Sequence, residues 1–218
     1  MKSRILTEKD CELILDMDKK VYPTSSPVTK EIIKSWYIKN PEFGVVFEEN
    51  NRIVGVLIAI PLNKQSWKKL INGKLKESEM SEKTIFDNSL DRELGIHIYH
   101  IEKLDTNIKE FYKISLNYMA SLLDNLKKKN NNLKVIGFSG LCVTPEGINL
   151  FEKKFNCKER DFVVQEHILE KDGKRIVLET ESKEVIQNKI DDGYNYITKC
   201  KMLVLYPKEN SVVWDYLH

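Results

Sequence analysis

Several side chains that can move protons lie close together in one apolar segment of the sequence. The segment Leu94–Leu104 has the sequence LGIHIYHIEKL and contains His97, Tyr99, His100 and Glu102. A histidine near its unperturbed pKa of about 6.5 exchanges protons at neutral pH, and a glutamate can act as a base. The segment therefore predicts general acid–base chemistry. For His97 and for His100, each taken alone, a satisfied core or surface residue is the favoured interpretation.

A strand over this segment would divide the same side chains between two faces of a sheet. Successive residues of a strand point to opposite sides. One predicted set is His97, Tyr99 and Ile101, and the other is Ile98, His100 and Glu102. On this pattern His100 and Glu102 lie on the same face of the sheet, and Tyr99 lies on the opposite face.

The cysteines indicate no metal or redox chemistry. Cys11, Cys142, Cys157 and Cys200 include no C-x-x-C pair, so the spacing predicts neither a zinc site nor a redox pair, and no metal is expected. Cys142 follows a predicted strand, where a covalent acyl-cysteine route is conceivable, but simple packing is the favoured interpretation. Four free thiols are typical of a protein in a reducing cytoplasm.

The composition favours a single soluble domain over residues 1–218. Of the 218 residues, 41% are hydrophobic and 31% are charged, as in ordinary folded domains. The formal net charge of +2 implies no strongly basic face, so nucleic acid is not an expected partner. No apolar run approaches the roughly 18 residues of a membrane span, and charges interrupt the N-terminal segment. We therefore expect a cytoplasmic protein without a membrane partner, either a monomer or a homodimer.

The first third of the chain predicts two helices followed by two strands. Thr7 and Thr29 are predicted N-caps, and Asp10 completes a capping-box pattern with Thr7. Asn50-Asn51 predicts a two-residue hairpin turn. The predicted elements are strand Ser3–Leu6, a helix to Val21, a helix ended by Asn40-Pro41, and strands Phe43–Glu49 and Arg52–Leu62. The last strand is apolar throughout, which predicts a central position buried on both faces.

A polar insertion, Asn63–Arg92, precedes the remaining elements. It is predicted to contain short helices around Trp67–Ile71 and Ser81–Phe86 and to be either a lid or substrate-binding insert, or a solvated cap on the core. The later elements are predicted as strand Leu94–Leu104, helix Asn107–Lys129, strand Lys134–Leu141, a helix from Thr144 to Phe155, a hairpin of Asp161–Leu169 with Arg175–Glu179, helix Ser182–Ile190 and strand Tyr194–Tyr206.

This order of elements, together with three segments, resembles the GNAT superfamily of acyl-CoA N-acyltransferases. The segments are IVGVLIAIPL at 53–62, IYHIEK at 98–103 and GFSGLCVTPEGINLFEKKFNCKE at 137–159. The resemblance implies an α/β (α+β) fold with a mixed central sheet flanked by helices on both faces. It also implies acetyl-CoA as the acyl donor and an amine of a small molecule or a peptide as the acceptor.

Two positions depart from the pattern of that family. The family carries glycines before a helix, where backbone N–H groups close on the cofactor pyrophosphate. The matching segment here, 103–111, contains no glycine, and Asp105 and Glu110 add negative charge. Phe151 stands where the family often has a proton-donating tyrosine. The leaving thiolate would then depart unprotonated, or solvent or another group would protonate it.

The resemblance also assigns candidate roles to individual residues. Glu102 or His100 is the candidate base, with Tyr99 beside them, and the backbone around Ile101 would polarise the thioester carbonyl. The candidate cofactor-binding residues are Ile101, Lys103, Asn107, Lys109, Ser139, Thr144 and Phe151. For Thr144 a helix cap, and for Phe151 a packed core aromatic, are the favoured interpretations. The candidate acceptor-binding residues are Tyr22, Trp67 and His97.

Three hypotheses on function remain at the level of sequence. The first is an N-acetyltransferase that moves an acetyl group directly from acetyl-CoA to an unidentified amine. The second is a degenerate GNAT-fold module that binds a ligand or a partner protein without catalysis, which the missing glycines and Phe151 favour. The third is an enzyme on the same scaffold that uses an acyl carrier or another acyl-CoA, which the altered phosphate loop favours.

Overall fold

A mixed sheet forms the centre of the computed structural model, which describes residues 1–160, 165–207 and 209–217. The strands are β1 (Lys2–Ile5), β2 (Gly44–Glu49), β3 (Arg52–Asn63), β4 (Glu93–Lys103), β5 (Lys134–Cys142), β6 (Lys158–Arg160), β7 (Glu166–Lys171), β8 (Lys174–Glu179), β9 (Asn195–Lys199) and β10 (Lys201–Leu205). The large sheet has the order β1-β2-β3-β4-β5-β10-β6. β4 and β5 run parallel, and the other described neighbours in this sheet are antiparallel.

Helices cover both faces of the large sheet. They are α1 (Glu8–Val21), α2 (Lys30–Trp36), α3 (Lys64–Ile71), α4 (Phe111–Lys129), α5 (Pro145–Asn149), α6 (Lys183–Asp191) and α7 (Val212–Leu217). Helices α1, α2 and α3 pack on one side, the α1 face, and α4, α5 and α7 pack on the other, the α4 face. The predicted mixed sheet with helices on both faces is therefore confirmed. No helix in the described ranges is both long enough and apolar enough to cross a membrane.

The third strand lies in the middle of the core, as its uninterrupted apolar sequence predicts. Every residue from Val54 to Leu62 is buried. Val56 and Ile58 belong to the cluster on the α1 face, whereas Leu57 and Ala59 belong to the cluster on the α4 face. A strand that is covered on both faces does not alternate polar with apolar residues, because neither face meets solvent. This explains why the sequence of β3 is apolar throughout.

The predicted turn and caps of the first third are also present. Asn50 and Asn51 have φ values of 51° and 60°, as a two-residue hairpin turn requires. The Thr29 hydroxyl accepts a hydrogen bond from the Ile32 N–H at 3.3 Å, which caps α2. These local signals place β2 and β3 side by side and fix where α2 begins.

The predicted helix Asn107–Lys129 is shorter than expected at its start. It begins at Phe111, because the Asp105 carboxylate accepts a hydrogen bond from the Asn107 N–H at 2.9 Å and holds the preceding residues in a turn. Glu110 has a left-handed backbone with a φ of 50°. The loop between β4 and α4 thus contains a left-handed residue without using glycine.

The predicted helix Ser81–Phe86 in the insertion is absent. The segment forms a turn in which the Thr84 N–H donates to the Ser81 carbonyl at 2.8 Å, and Ile85 then bridges Leu62 of β3. Strand-like pairing wins over a helix there because Ile85 and Phe86 are buried against the sheet. The first predicted helix of the insertion is present as α3.

The predicted final strand Tyr194–Tyr206 is two strands in two different sheets. β9 pairs with β7 in a small sheet of order β8-β7-β9, whereas β10 pairs with β5 and β6 in the large sheet. Cys200 lies between them, and its N–H donates to the carbonyl of Glu166 at 2.8 Å. Apolar content alone does not distinguish one long strand from two short ones.

The predicted hairpin around Asp172-Gly173 is present as β7 and β8. Asp172 and Gly173 have φ values of 52° and 72°, which a tight turn accommodates. Residues 161–164, part of the first predicted strand, lie outside the described residues. The predicted helix Ser182–Ile190 corresponds to α6, which Ser182 caps by accepting from the Val185 N–H at 3.3 Å.

Trp67 fixes the insertion to the paired part of β4 and β5. Its indole covers Gly95 of β4 and Gly137 of β5, and only 1% of the residue is exposed. A Cβ atom on Gly95 would lie 2.1 Å from Trp67 Cγ. The close approach of the ring to the sheet therefore requires glycine at that position.

Replacing Gly95 should test this packing directly. We expect Gly95→Ala to lower the free energy of unfolding by about 3 kcal/mol, because the added methyl group overlaps the rigid indole. Gly147→Ala is the control, since its Cβ would lie 3.1 Å from the Thr144 hydroxyl in a helical turn with no positive φ. Urea unfolding measures both variants, and equal stabilities would contradict the predicted packing.

A second anchor joins β1 to α1 through Asp10. The Asp10 carboxylate accepts hydrogen bonds from the Thr7 N–H and from Arg4 Nη1, both at 2.7 Å. Burial opposes ionisation of Asp10, but the hydrogen bonds from Arg4 and Thr7 outweigh it and lower the pKa of Asp10 to about 2. The Asp10 side chain that caps α1, as the sequence pattern predicts, therefore also forms an ion pair with Arg4.

This anchor predicts a specific pH dependence of stability. Because the pKa of Asp10 falls below its ordinary value of 3.8 on folding, its contribution is complete above that value and is lost as the pH falls toward 2. We expect Asp10→Asn to cost about 1 to 2 kcal/mol at neutral pH and to make the acid side of the stability curve less steep. Unfolding measured from pH 7 to pH 2 tests this, and parallel curves for both proteins would refute it.

Candidate active site

A one-residue bulge in β4 determines which side chains meet on the α1 face. In the register of β3 with β4, Ile58 pairs with His100 and Ala59 pairs with Ile98, so Tyr99 has no partner. The extra residue reverses the alternation of the strand. Tyr99 and His100 therefore both contact the α1 face, and the predicted division between them is wrong.

The bulge lies where β4 and β5 separate. Their parallel pairing ends at His97 and Ser139, although β4 continues to Lys103 beside β3, and β5 continues to Cys142 beside β10. Beyond that pair the two strands no longer bond to each other. A gap therefore opens in the middle of the sheet, next to Tyr99.

Asp18 of α1 joins the two residues that the bulge brings together. Its carboxylate accepts a hydrogen bond from the Tyr99 hydroxyl and lies 2.9 Å from Nε2 of His100. The ionised carboxylate only accepts, so Nε2 donates. Burial, with the negative charges of Glu77 and Asp18, raises the pKa of Tyr99 well above its ordinary value, which keeps this phenol protonated.

Glu102 lies on the outer side of the same histidine. Its carboxylate is 3.8 Å from Nδ1 of His100, and 43% of its side chain is exposed, against 10% for His100. His100 thus stands between a half-buried carboxylate, Asp18, and a carboxylate in contact with solvent. The Nε2–H of His100 therefore holds Asp18 in place, while 3.8 Å is too long for a direct hydrogen bond from His100 to Glu102.

A cavity of about 320 Å³ adjoins Tyr99 and Asp18 on the α1 face. Its walls come from α1, the loop after α1, the insertion, the sheet and the small sheet. The lining residues are Leu15, Asp18, Lys19, Tyr22, Pro23, Thr24, Ser26, Pro27, Val28, Leu70, Gly73, Leu75, Lys76, Glu77, Ser78, Tyr99, Leu141, Glu166, Glu179, Cys200 and Met202. This volume is near the lower end for small-molecule sites.

Tyr22, predicted to bind the acceptor, lines the cavity. Its hydroxyl donates to the carboxylate of Glu166 at the start of β7. Burial and the hydrogen bond to Glu166 raise the pKa of Tyr22 above its ordinary value. Tyr22 and Tyr99 therefore both present neutral phenols, each bound to a carboxylate.

The structure places Trp67, His97 and Ser139 behind the cavity wall. Trp67 Nε1 donates to the Ser139 hydroxyl at 3.0 Å, and that hydroxyl lies 3.0 Å from Nδ1 of His97. Nε2 of His97 lies 2.6 Å from the carboxylate of Glu77, which does line the cavity. The three residues are almost completely buried. They hold Glu77 in place and have no surface of their own for a ligand.

The other side of the gap is filled with apolar side chains. A cavity of only about 20 Å³ remains there, lined by Leu57, Ile98, Ile101, Ser115, Leu116, Met119, Phe138, Phe151, Phe155, Cys157 and Val213. Phe151 lies on Gly140, where an added Cβ would come within 2.6 Å of its ring. Phe151 is thus a buried core aromatic at the edge of the gap.

Thr144 and Cys142, which follow the gap along β5, have structural contacts. The Thr144 hydroxyl accepts from the Gly147 N–H at 3.1 Å and caps α5, whose predicted continuation to Phe155 becomes π-helical at Leu150–Lys154. Burial raises the pKa of the Cys142 thiol well above its ordinary value. A protonated, buried thiol is a poor nucleophile.

The start of α4 offers the features of an anion site. The first N–H groups of a 19-residue helix lack partners within the helix, and they carry a positive partial charge. Lys109 is exposed beside them, while Lys103 Nζ donates to the carbonyls of Thr106 and Ile108 at 3.4 and 3.3 Å. Asn107 is exposed in the same loop. Basic side chains therefore lie near the N-terminal N–H groups of α4, of which that of Lys113 donates to the Glu110 carbonyl at 2.8 Å.

Most residues that line the cavity were not among the predicted site residues, and these include the acidic residues Asp18, Glu77 and Glu166. Asp18 had a sequence signal, because it lies four residues after the buried Ile14 on the apolar side of α1. Glu77 and Glu166 had none, since they come from the insertion and from the small sheet. Within the described ranges, no group of three or more His, Cys, Asp or Glu side chains is arranged to hold a metal ion.

Comparison with known proteins gives structural neighbours only. No protein-family model matches the sequence, and no curated protein matches it. Naa50 of Arabidopsis thaliana, in complex with a bisubstrate analogue, is 13% identical with a TM-score of 0.46, over 94% of this chain and 97% of that one. Ard1 from Thermoplasma volcanium is 10% identical with a TM-score of 0.45, and the match covers 95% of this chain and 98% of that one.

A third solved structure is the GNAT-like decarboxylase GphF, in complex with isobutyryl-CoA. It is 11% identical with a TM-score of 0.43, and the match spans 65% of each chain. The mixed sheet with helices on both faces agrees with the fold that the sequence resemblance implied.

Proposed function

We propose that this protein is an N-acetyltransferase that moves an acetyl group directly from acetyl-CoA to an amine in the cavity. The observation that carries the proposal is the juxtaposition at the bulge. The gap between β4 and β5, the carboxylate of Asp18 and the cavity all meet beside Tyr99. A donor on one side of the gap and an acceptor on the other would react there.

The residues around the gap fit the donor at its phosphate end. The start of α4, with Lys103, Lys109 and Asn107 nearby, would hold the pyrophosphate. Acetyl-CoA supplies the thioester, and the strand backbone around Ile101 would orient its carbonyl. Phe151 would contact the acyl arm as an apolar surface.

The acceptor side provides a route for the proton. An ammonium bound at Asp18 loses its proton to that carboxylate, with Tyr99 and His100 holding the carboxylate in position. His100 acts here as a donor to Asp18, and the proton that Asp18 takes up is released to solvent through the cavity. The amine nitrogen forms a bond to the acetyl carbon, the carbon–sulfur bond breaks, and the nitrogen releases its second proton to solvent. A thiolate with a pKa near 8.5 leaves without a proton donor, so a phenylalanine at position 151 is compatible with the reaction.

A GNAT-fold module that binds a ligand without catalysis is the second candidate. The cavity of about 20 Å³ on the α4 face favours it, because little space is open there for an acyl arm. The glycine-free loop before α4 favours it as well. Entry of the donor would require side chains such as Phe155 to move.

Binding of acetyl-CoA tests the donor site, and release of its thiol in the presence of amines separates the two candidates. We expect calorimetry to detect binding, and acetyl-CoA at a hundredfold its Kd should add about 2.7 kcal/mol to the free energy of unfolding. Desulfo-CoA is the control for the phosphate end. Release of free thiol in the presence of amines would support transfer, and no binding at millimolar acetyl-CoA would refute it.

Substitution of Asp18 tests the proposed proton acceptor. We expect Asp18→Asn to lower kcat/KM at least about a hundredfold, because the amide cannot accept the ammonium proton. Asp16→Asn on the same helix is the matched control, since Asp16 is 67% exposed and is bound only to Lys19 among the described ion pairs. The rate of thiol release is measured for both variants. Equal losses of kcat/KM in the two variants would exclude Asp18 as the proton acceptor.

His100 needs a separate test, because it acts through Asp18. We expect His100→Leu to lower kcat about tenfold with KM for acetyl-CoA unchanged, whereas His100→Gln, whose amide can still donate to Asp18, should lose less. An unchanged kcat in His100→Leu would remove the proposed positioning role.

A further inference from the structure

The carboxylates of the cavity lack lysine and arginine partners. Asp18 and Glu77 are 19% and 13% exposed, and Glu166 is half-buried. Among the described residues, none of the three has a lysine or arginine within ion-pair distance. Their side-chain partners are phenols and imidazoles. A partly buried carboxylate is stabilised by a permanent cation, and no lysine or arginine among the described neighbours supplies one.

The small sheet adds a second electrostatic feature. Glu166 and Glu179 are direct partners in the register of β7 with β8, and both line the cavity. Direct partners in an antiparallel pair lie on the same face, where two negative charges destabilise each other. A cation bound between them would remove this cost. The lysines of the lining, Lys19 and Lys76, are both exposed.

The remaining walls of the cavity are mostly apolar. They include Leu15, Val28, Leu70, Leu75, Leu141 and Met202. A ligand that fits must therefore place charge at separate carboxylates and hydrocarbon between them. A cavity of about 320 Å³ suits a small molecule of this kind.

We propose that the acceptor is a small aliphatic diamine or polyamine. One ammonium group binds at Asp18, where it is acetylated, and a second binds at Glu77 and Glu166 and is retained in the product. The assignment rests on the proposed acetyl transfer for the role of the first group alone. The binding of the second ammonium group at Glu77 and Glu166 does not depend on whether the acetyl transfer takes place.

Glu77 is then the residue that selects for the second charge. Its carboxylate is held by His97, which is itself held by Ser139 and Trp67 in the interior. A carboxylate fixed from behind loses little conformational freedom when it binds a cation. The insertion at 63–92 thus supplies a specificity-determining residue, and His97 is a positioning residue.

Calorimetry without acetyl-CoA tests the proposal independently of catalysis. Putrescine, cadaverine and spermidine are compared with n-butylamine and n-pentylamine, which have one charge on the same hydrocarbon. We expect each diamine to bind at least about tenfold more tightly than the monoamine of equal length. Equal affinities would overturn the proposal, as would a peptide with a free N-terminus that binds more tightly than every diamine.

Glu77→Gln identifies the residue that recognises the second charge. The amide oxygen still accepts from His97, so the fold of the insertion is preserved while the charge is removed. We expect this variant to lose about tenfold in diamine affinity and nothing in n-butylamine affinity. Glu82→Gln, an exposed position in the same insertion, is the matched control and should change neither.

Glu166→Gln, in β7, is a second variant. We expect it too to lose about tenfold in diamine affinity and nothing in n-butylamine affinity. Equal losses for monoamine and diamine in both variants would overturn the proposal. Diamine selectivity in a protein that does not bind acetyl-CoA would support the diamine site and refute acetyl transfer.

Discussion

Tyr99 has no partner in β3, because Ile98 pairs with Ala59 and His100 pairs with Ile58. This one extra residue brings a phenol and an imidazole to the same side of the sheet, where Asp18 binds both. Without it, strict alternation would direct His100 into the apolar cluster under α4. The cavity, the carboxylate and the gap between β4 and β5 therefore meet at one point because of the bulge.

The two halves of the β4–β5 pair have different properties. Up to His97 and Ser139 they are bonded to each other and covered by Trp67, so that half is tightly packed. Beyond this pair each strand bonds only to its outer neighbour. A hydrogen-bonded chain from Trp67 to Glu77 starts at the last bonded pair. The rigid half of the sheet thus positions a side chain of the insertion beside the open half.

Elements with strong local signals could be predicted from the sequence. The apolar run of β3, the Asn50-Asn51 turn and the Thr29 cap each depend on a few neighbouring residues. The bulge at Tyr99 could not be predicted, because it depends on the register with β3. The division of 194–206 at Cys200 depends on pairing with β7, which is equally remote in sequence.

Some residues of the candidate site could be proposed from the sequence and others could not. His100, Glu102 and Tyr99 were proposed because they interrupt an apolar strand, and Tyr22 because it lies in a loop after a helix; their roles stay predictions. Glu77 and Glu166 were not found, since an acidic residue in a polar segment carries no signal of the cavity it lines. Ser139 was expected to bind the cofactor, but its hydroxyl contacts Trp67 and His97 in the interior.

The separation of β9 from β10 has a consequence for how such a protein can diverge. The small sheet supplies Glu166 and Glu179 to the cavity, yet it joins the large sheet in the chain only through Cys200 and the residues between β6 and β7. Substitutions in the β7–β8 hairpin alter the charge of the cavity without touching β4, β5 or α4. The charge of the cavity can therefore change between descendants of this chain while the gap between β4 and β5 is inherited unchanged.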